Sequence, residues 1–110
     1  MKLVINNNEV VLFQNQETDT DLSEYFNSNL DNLKSNNLVF VVDHHQDLSN
    51  SFLNLISKIS KIFQNNNKSF VVVSSKFSYN DFPDSINLAP TQQEALDFIE
   101  MEEMQRDLEL

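Results

Sequence analysis

The chain has 110 residues, which is enough for one domain with a single hydrophobic core and too short for two. Its 17 Asp or Glu residues outnumber its 7 Lys or Arg residues, and the formal charge of −10 argues against a nucleic-acid partner. The absence of glycine excludes P-loop and Rossmann phosphate sites, and the absence of cysteine excludes disulfide bonds and thiolate metal sites.

The N-terminal third of the chain is predicted to form a hairpin and a helix. Residues 2–5 and 9–13 are β-favouring runs on either side of an asparagine-rich turn, which indicates two paired strands. Asp21 and Glu24 have the spacing of a capping box, and apolar residues then recur at helical intervals. We therefore expect the first helix over about residues 22–35.

The middle of the chain is predicted to contain two buried strands separated by a long helix. Residues 38–42 and 68–73 are apolar runs typical of strands that are covered on both faces. Ser49 or Asn50 caps the helix between them, and the asparagines at 65–67 favour its C-terminal cap. The apolar face of this helix is wide and comprises Phe52, Leu53, Leu55, Ile56, Ile59, Ile62 and Phe63.

The last third is predicted to form a short strand and a terminal helix. The strand covers residues 86–88, and Thr91 and Glu94 form a second capping box at the start of the helix. Alternating strands and helices require right-handed crossovers and parallel pairing, whereas the hairpin adds an antiparallel edge. The expected fold is a single α/β domain over 1–110, with four to five strands in a mixed sheet, three to four helices against it, and an acidic helical tail at about 100–110.

Four polar side chains after the first buried strand suggest a metal site. Asp43, His44, His45 and Asp47 follow it directly, and Asp-His-His behind a strand is used by a family of metal-dependent phosphoesterases to hold a metal pair. Adjacent histidines in an extended segment point to opposite sides, and a two-metal hydrolase needs further carboxylates that the chain does not supply. We therefore expect no metal, no cofactor and no enzymatic activity, with a metal-dependent phosphoesterase or nuclease as a weaker alternative.

Two local patterns and the order of elements resemble the STAS domain family, which includes anti-sigma factor antagonists. The first pattern is the strand, loop and capped apolar helix in "LVFVV", "DHHQDL" and "SNSFLNLISKISKIF". The second is "APTQQEALDFI", which is similar to the closing strand-to-helix segment of these proteins. The resemblance covers nearly the whole chain and implies a STAS-like (SpoIIaa-like) fold.

The resemblance also implies a regulatory switch at the start of the long helix. In the family an Asp-Ser-Ser/Thr-Gly segment begins this helix, and its first serine accepts phosphate from a partner kinase. Ser49, Asn50, Ser51 and Phe52 align with those four residues, so the acceptor position is Asn50, which cannot be phosphorylated. A shift of one residue makes Ser49 or Ser51 the acceptor; the alternative is that both serines only cap the helix.

The expected function is that of a non-catalytic regulatory module that binds another protein, such as a kinase-type anti-sigma factor. Loops beyond the carboxyl ends of parallel strands are common contact sites in α/β domains. The predicted partner-binding residues are Asp43, His44, His45, Asp47, Ser49, Asn50, Ser51 and Phe52. No run is long and apolar enough to cross a bilayer or to act as a signal peptide, so we expect a cytoplasmic protein without membrane contact.

The C-terminal segment carries a second resemblance. "EALDFIEMEEMQRDLEL" is similar to the end of small stand-alone STAS-like proteins of Bacteroidetes, some of which are labelled ribonuclease Z. A ribonuclease Z needs a His-x-His-x-Asp-His motif and several later ligands, whereas this chain has two histidines in total. The label therefore does not fit the residues present.

The terminal helix has two apolar stripes on nearly opposite sides. Apolar residues within 95–99 form one stripe, and Met101, Met104 and Leu108 form the other. A straight helix cannot bury both stripes in one core. Either the helix bends or ends near Glu100, or the second stripe faces a partner, and the alternative function is a structural protein that self-associates through this stripe as a homodimer.

Overall fold

The computed structural model describes residues 1–6, 9–42 and 48–109, which form a sheet between two layers of helices. Within these ranges there are five strands and three α-helices, which confirms the predicted mixed α/β fold. In chain order the elements are β1 (Lys2–Asn6), β2 (Glu9–Phe13), α1 (Asp19–Leu33), β3 (Asn37–Val41), α2 (Asn50–Asn65), β4 (Phe70–Val73), a short 3-10 turn (Tyr79–Asp81), β5 (Asn87–Ala89) and α3 (Gln92–Leu108).

The strands lie in the sheet in the order in which they occur in the chain. β1 is antiparallel to β2, and the three pairs from β2 to β5 are parallel. The predicted hairpin is therefore confirmed, although Asn7 and Asn8 of its turn lie outside the described residues. We call the end where β2 to β5 finish the carboxyl edge of the sheet, and the end where they begin the amino edge.

The two faces of the sheet are covered by different helices. α1 and α2 pack on one face, which we call the α1/α2 face, and α3 packs on the other, which we call the α3 face. Successive side chains of β3 point to opposite faces, so Phe40 joins the α1/α2 core whereas Val39 and Val41 join the α3 core. Every residue of β3 and β4 is buried, as predicted for strands covered on both faces.

The first helix begins earlier than its predicted start at residue 22. Thr18 is the N-cap, and it forms a capping box with Asp21: each side chain accepts a hydrogen bond from the backbone amide of the other residue. The predicted box of Asp21 and Glu24 is therefore wrong, because Asp21 is the third residue of the helix rather than its cap. The helix ends at Leu33 instead of residue 35.

The asparagines after α2 terminate the helix as predicted. Asn67 has a φ angle of 58°, the left-handed conformation that glycine usually adopts at this position. The amide of Lys68 donates to the carbonyl of Phe63, and the amide of Asn67 donates to that of Gln64, which is the hydrogen-bond pattern of a Schellman motif. Asparagine thus performs the turn function that glycine has in most proteins.

The terminal helix continues without interruption to Leu108. Thr91 caps it by accepting a hydrogen bond from the amide of Glu94 at 3.1 Å. The possibility that the helix ends near Glu100 is therefore wrong. The last strand comprises residues 87–89 rather than 86–88.

Candidate functional site

The start of α2 is fixed by the side chain of Ser49. This residue has an extended backbone and is the N-cap of the helix, so of the two predicted caps the structure uses Ser49 rather than Asn50. Its hydroxyl oxygen accepts a hydrogen bond from the amide of Phe52 at 3.1 Å, and the hydroxyl donates to Oδ2 of Asp19 at 2.5 Å. One side chain therefore satisfies a helix amide and joins the helix to a carboxylate.

The hydrogen bond between Ser49 and Asp19 brings two helix N-termini together. Asp19 is the first residue of α1, and the first turn of α2 contains no acidic residue of its own. The N-terminal ends of both helix dipoles favour a carboxylate at this position. A helix that begins at residue 22, as predicted, does not include Asp19. The sequence signal for the observed start is Thr18 followed by Asp19 and Asp21, a pattern typical of a capped, acidic first turn.

The predicted partner-binding residues of α2 divide into exposed and buried positions. Asn50 and Ser51 are exposed on the first turn, where a partner can reach them. Phe52 is fully buried and belongs to the α1/α2 core, which corrects its assignment to a contact surface. The reason is its helical spacing from Ile56, which is also fully buried: the two side chains lie on the same face of α2 and pack against the sheet.

The loop part of the predicted partner-binding surface lies outside the described residues. Its members are Asp43, His44, His45 and Asp47. The chain is described up to Val42, whose amide donates to the carbonyl of Val73 at 2.9 Å, and resumes at Leu48. The described residues on either side, Val42 and Leu48, thus lie at the carboxyl edge and directly before the cap of α2.

A surface pocket of about 420 Å³ also opens at the carboxyl edge. The apolar side chains of Phe13 and Val41 line it together with the amide side chains of Gln14, Asn15 and Gln92. Met1 and Lys2 complete the described lining, which contains no Asp, Glu or His side chain. The pocket therefore combines hydrophobic contacts and amide hydrogen bonds with the cationic side chain of Lys2.

At the amino edge, four polar side chains connect two strands to α3. Asn37 accepts a hydrogen bond from the amide of Ser69 at 2.9 Å and donates one to the carboxylate of Glu103. Nη1 of Arg106 donates to the hydroxyl of Ser69 at 3.2 Å. We call Asn37, Ser69, Glu103 and Arg106 the polar clamp. Because Asn37 and Ser69 are buried, these hydrogen bonds replace the water that their polar atoms lose on folding.

Acidic side chains crowd together beside the polar clamp. Burial raises the pKa of the Glu9 carboxyl above its ordinary value, and the neighbouring carboxylates of Glu103 and Glu100 raise it further. Glu9 begins β2, whereas Glu100 and Glu103 lie on α3, so the cluster joins the sheet to the helix. Repulsion from the carboxylates of the helix thus adds to the cost of ionising Glu9.

The second apolar stripe of α3 is exposed to solvent. Met101 is 60% exposed, Met104 is 59% exposed and Leu108 is 84% exposed, while Ala95 and Ile99 of the first stripe are fully buried. Because the helix is continuous, its two stripes point in nearly opposite directions. The stripe of Met101, Met104 and Leu108 thus faces away from the sheet.

In the part of the chain that the structure describes, no three His, Cys, Asp or Glu side chains come close enough to hold a metal ion. None of the helices described combines the length and the apolar character needed to cross a bilayer.

Comparison with known proteins identifies a structural neighbour. No protein-family model matches the chain, and no curated protein is significantly similar to it. Among solved structures, the chain is similar to the NMR structure of the protein TM1081, with a TM-score of 0.68 and 16% sequence identity. The match covers 89% of this chain and 86% of that one. The likeness therefore extends over most of the chain, and at this level of identity it shows the fold alone.

Proposed function

We propose that the chain is a non-catalytic regulatory module that binds another protein in the cytoplasm and resembles the anti-sigma factor antagonists of the STAS family. The observation that carries this proposal is the exposed first turn of α2. Asn50 and Ser51 are exposed there, while the turn is held in place by the Ser49 cap and by the buried side chain of Phe52. Rigid support of exposed polar residues lowers the entropic cost of binding.

The contact surface in this proposal extends from the first turn of α2 into the preceding loop. Asp43, His44, His45 and Asp47 belong to it because the loop joins the carboxyl edge to α2. Loops of this kind are common recognition sites in α/β domains. The absence of cysteine from the sequence fits a module that works in a reducing compartment.

Of the two serines considered as phosphate acceptors, Ser51 fits better than Ser49. A phosphate on Ser49 would lie against the carboxylate of Asp19 and would remove the hydroxyl proton that now bonds to it. Ser51 is exposed in a first turn that contains no acidic residue, and the helix dipole favours added negative charge there. The resemblance to the STAS family suggests a kinase-type anti-sigma factor as the partner.

The test compares two equivalent substitutions on the same helix. Asn50→Arg alters the proposed surface, and Asn54→Arg places the same side chain at an exposed position one turn later. Affinity capture from native lysate, followed by quantitative mass spectrometry and a binding assay with the purified partner, is expected to show one partner that is lost with Asn50→Arg and kept with Asn54→Arg. Capture of the same proteins by both variants and the original chain would contradict the proposal.

A second candidate function rests on the exposed stripe of α3. Methionine is frequent at adaptable binding surfaces, and Met101, Met104 and Leu108 form an apolar strip within an acidic helix. Self-association through this strip would make the protein a structural component. Light scattering of a Met101→Glu, Met104→Glu double variant tests it: the mass should fall from two chains to one, and an unchanged mass would eliminate this candidate.

A further inference from the structure

The outer edge of β1 is apolar and has no neighbour among the described residues. β1 pairs with β2 on one side only and is therefore an edge strand of the sheet. Its central residues are Leu3, Val4 and Ile5, which are 46%, 38% and 71% exposed. Edge strands of monomeric proteins are usually protected by charges, proline or bulges, because their free backbone groups can pair with another strand.

The exposed side chains lie on both faces of the sheet. In the β1–β2 register, Leu3 is opposite Leu12 on the α1/α2 face and Val4 is opposite Val11 on the α3 face. Leu12 and Val11 are buried, whereas Leu3 and Val4 are not. Among the residues that the structure describes, helical cover is therefore incomplete beyond β2 on both faces, and none of them blocks the approach of another strand to β1 in the plane of the sheet.

We propose that this edge binds a second copy of the chain, with β1 antiparallel to β1 of the second copy around a two-fold axis at Val4. Opposite residues of antiparallel strands share a face, and centring the axis on Val4 brings all five residues of the strand into pairs. Leu3 then lies opposite Ile5 of the second copy, Val4 lies opposite Val4, and two five-stranded sheets become one.

Charge complementarity supports a second copy as the occupant. The same register places Lys2 opposite Asn6 of the second copy, and Asn6 is paired with Glu9 in the hairpin. Lys2 and Glu9 are on the α3 face, so a lysine from each copy approaches the cluster of Glu9, Glu100 and Glu103 in the other. The two-fold axis forms this contact twice, and the added cation reduces the repulsion within each acidic cluster.

The first test measures the mass of the intact chain over a range of concentrations by sedimentation equilibrium. We expect a monomer–dimer equilibrium whose dissociation constant rises at least about tenfold with Ile5→Lys, because this strand side chain becomes charged at the interface. Tyr79→Lys is the matched control, because Tyr79 is 68% exposed, lies beside β5 at the other end of the strand order, and should not affect the dimer. A chain that remains monomeric overturns the proposal, as does a dimer that is kept with Ile5→Lys and lost with Leu108→Lys, which would assign it to the exposed stripe of α3.

The second test examines the register through the charges. Lys2→Glu should weaken the dimer, because it places a carboxylate near the acidic cluster of the second copy. Adding Glu9→Lys to Lys2→Glu reverses both charges and should restore most of the lost affinity. A double variant that dimerises no better than Lys2→Glu alone would overturn this pairing, whereas circular dichroism of each variant verifies that the domain remains folded.

Discussion

The two faces of the sheet are packed in different ways. The α1/α2 face buries large aromatic side chains. The ring centroids of Phe26 and Phe40 are 5.4 Å apart in an edge-to-face contact, and those of Phe63 and Phe70 are 5.5 Å apart in a stacked contact. The α3 face is built mainly from valines of the strands, covered by the small Ala95 and by Ile99. The aromatic face gains more from burial, so the smaller α3 face depends more strongly on the polar clamp at its end.

The largest expected effect in this comparison comes from Phe52→Ala. The ring is fully buried at the start of α2, and its loss leaves a cavity that the aromatic core cannot close. We expect the free energy of unfolding to fall by about 3–5 kcal/mol in urea titrations. Asn54→Ala, at an exposed position of the same helix, should change it by less than about 0.5 kcal/mol. Similar effects of both substitutions would contradict the role of Phe52 as an anchor.

Ile99→Ala is the corresponding change on the α3 face. This side chain is fully buried, but it is smaller than phenylalanine and packs on valines. The expected loss of stability is about 2–3 kcal/mol, measured in the same way. The comparison between the faces fails if this loss exceeds that of Phe52→Ala.

Asn37→Ala tests the contribution of the polar clamp. It leaves the buried amide of Ser69 without its acceptor and removes the donor to Glu103. We expect a loss of about 1–3 kcal/mol, because an unsatisfied buried group retains its full desolvation cost. Asn36→Ala, next to it in the chain but only half-buried, is the control and should have a much smaller effect. Equal effects of Asn37→Ala and Asn36→Ala would show that the hydrogen bonds of the polar clamp add nothing to the stability of the domain.

Ser49→Ala, at the carboxyl edge of the sheet, is expected to have a smaller effect on the stability of the domain. It removes the cap of α2 and the hydrogen bond to Asp19 and should lower the midpoint of thermal unfolding through a loss of about 1 kcal/mol. Ser51→Ala, at an exposed position two residues further along the chain, should leave the midpoint unchanged. If Ser51→Ala destabilises the domain as much as Ser49→Ala, the cap has been assigned to the wrong serine.

The smallest predicted effect is the pH dependence due to Glu9. Its pKa is raised in the folded state, so folding binds protons and the stability from this group is lost as the pH rises through that pKa. Glu9→Gln removes this pH-dependent loss. The free energy of unfolding of the variant should therefore rise relative to that of the original chain by roughly a few tenths of a kcal/mol between pH 4 and pH 7. Urea titrations at both pH values, at concentrations where the chain is monomeric, measure the difference. A stabilising effect of Glu9→Gln that is present at pH 4 and disappears at pH 7 would contradict the predicted direction of the pH dependence.

The sequence predicts the central elements because their signals are local. The apolar runs at 38–42 and 68–73 indicate buried strands wherever their partners lie, and Thr91 satisfies the helix amide three residues later. The start of α1 is harder to place, because Thr18 with Asp21 and Asp21 with Glu24 have the same spacing. The structure uses the first pair, which puts Asp19 and Asp21 in the first turn, where the helix dipole favours negative charge.

Much of the candidate site depends on contacts between distant parts of the chain. The hydrogen bond from Ser49 to Asp19 joins residues 30 positions apart, and no local pattern links them. Alignment with a family motif predicts a surface position for Phe52, whereas its spacing from Ile56 indicates a core position. Exposure of β1 could not be predicted either, because the same continuous apolar runs occur in strands that neighbouring helices cover.

The polar clamp also has a consequence for how the domain folds. Its hydrogen bonds join residues 32, 37 and 66 positions apart, so none of them can form within a short segment of the chain. Closing them requires β3, β4 and α3 to be in place together, and opening any one element exposes the buried amides of the others. The clamp thus links the stability of the terminal helix to that of the central strands, which favours all-or-none unfolding of the domain over gradual fraying of its end.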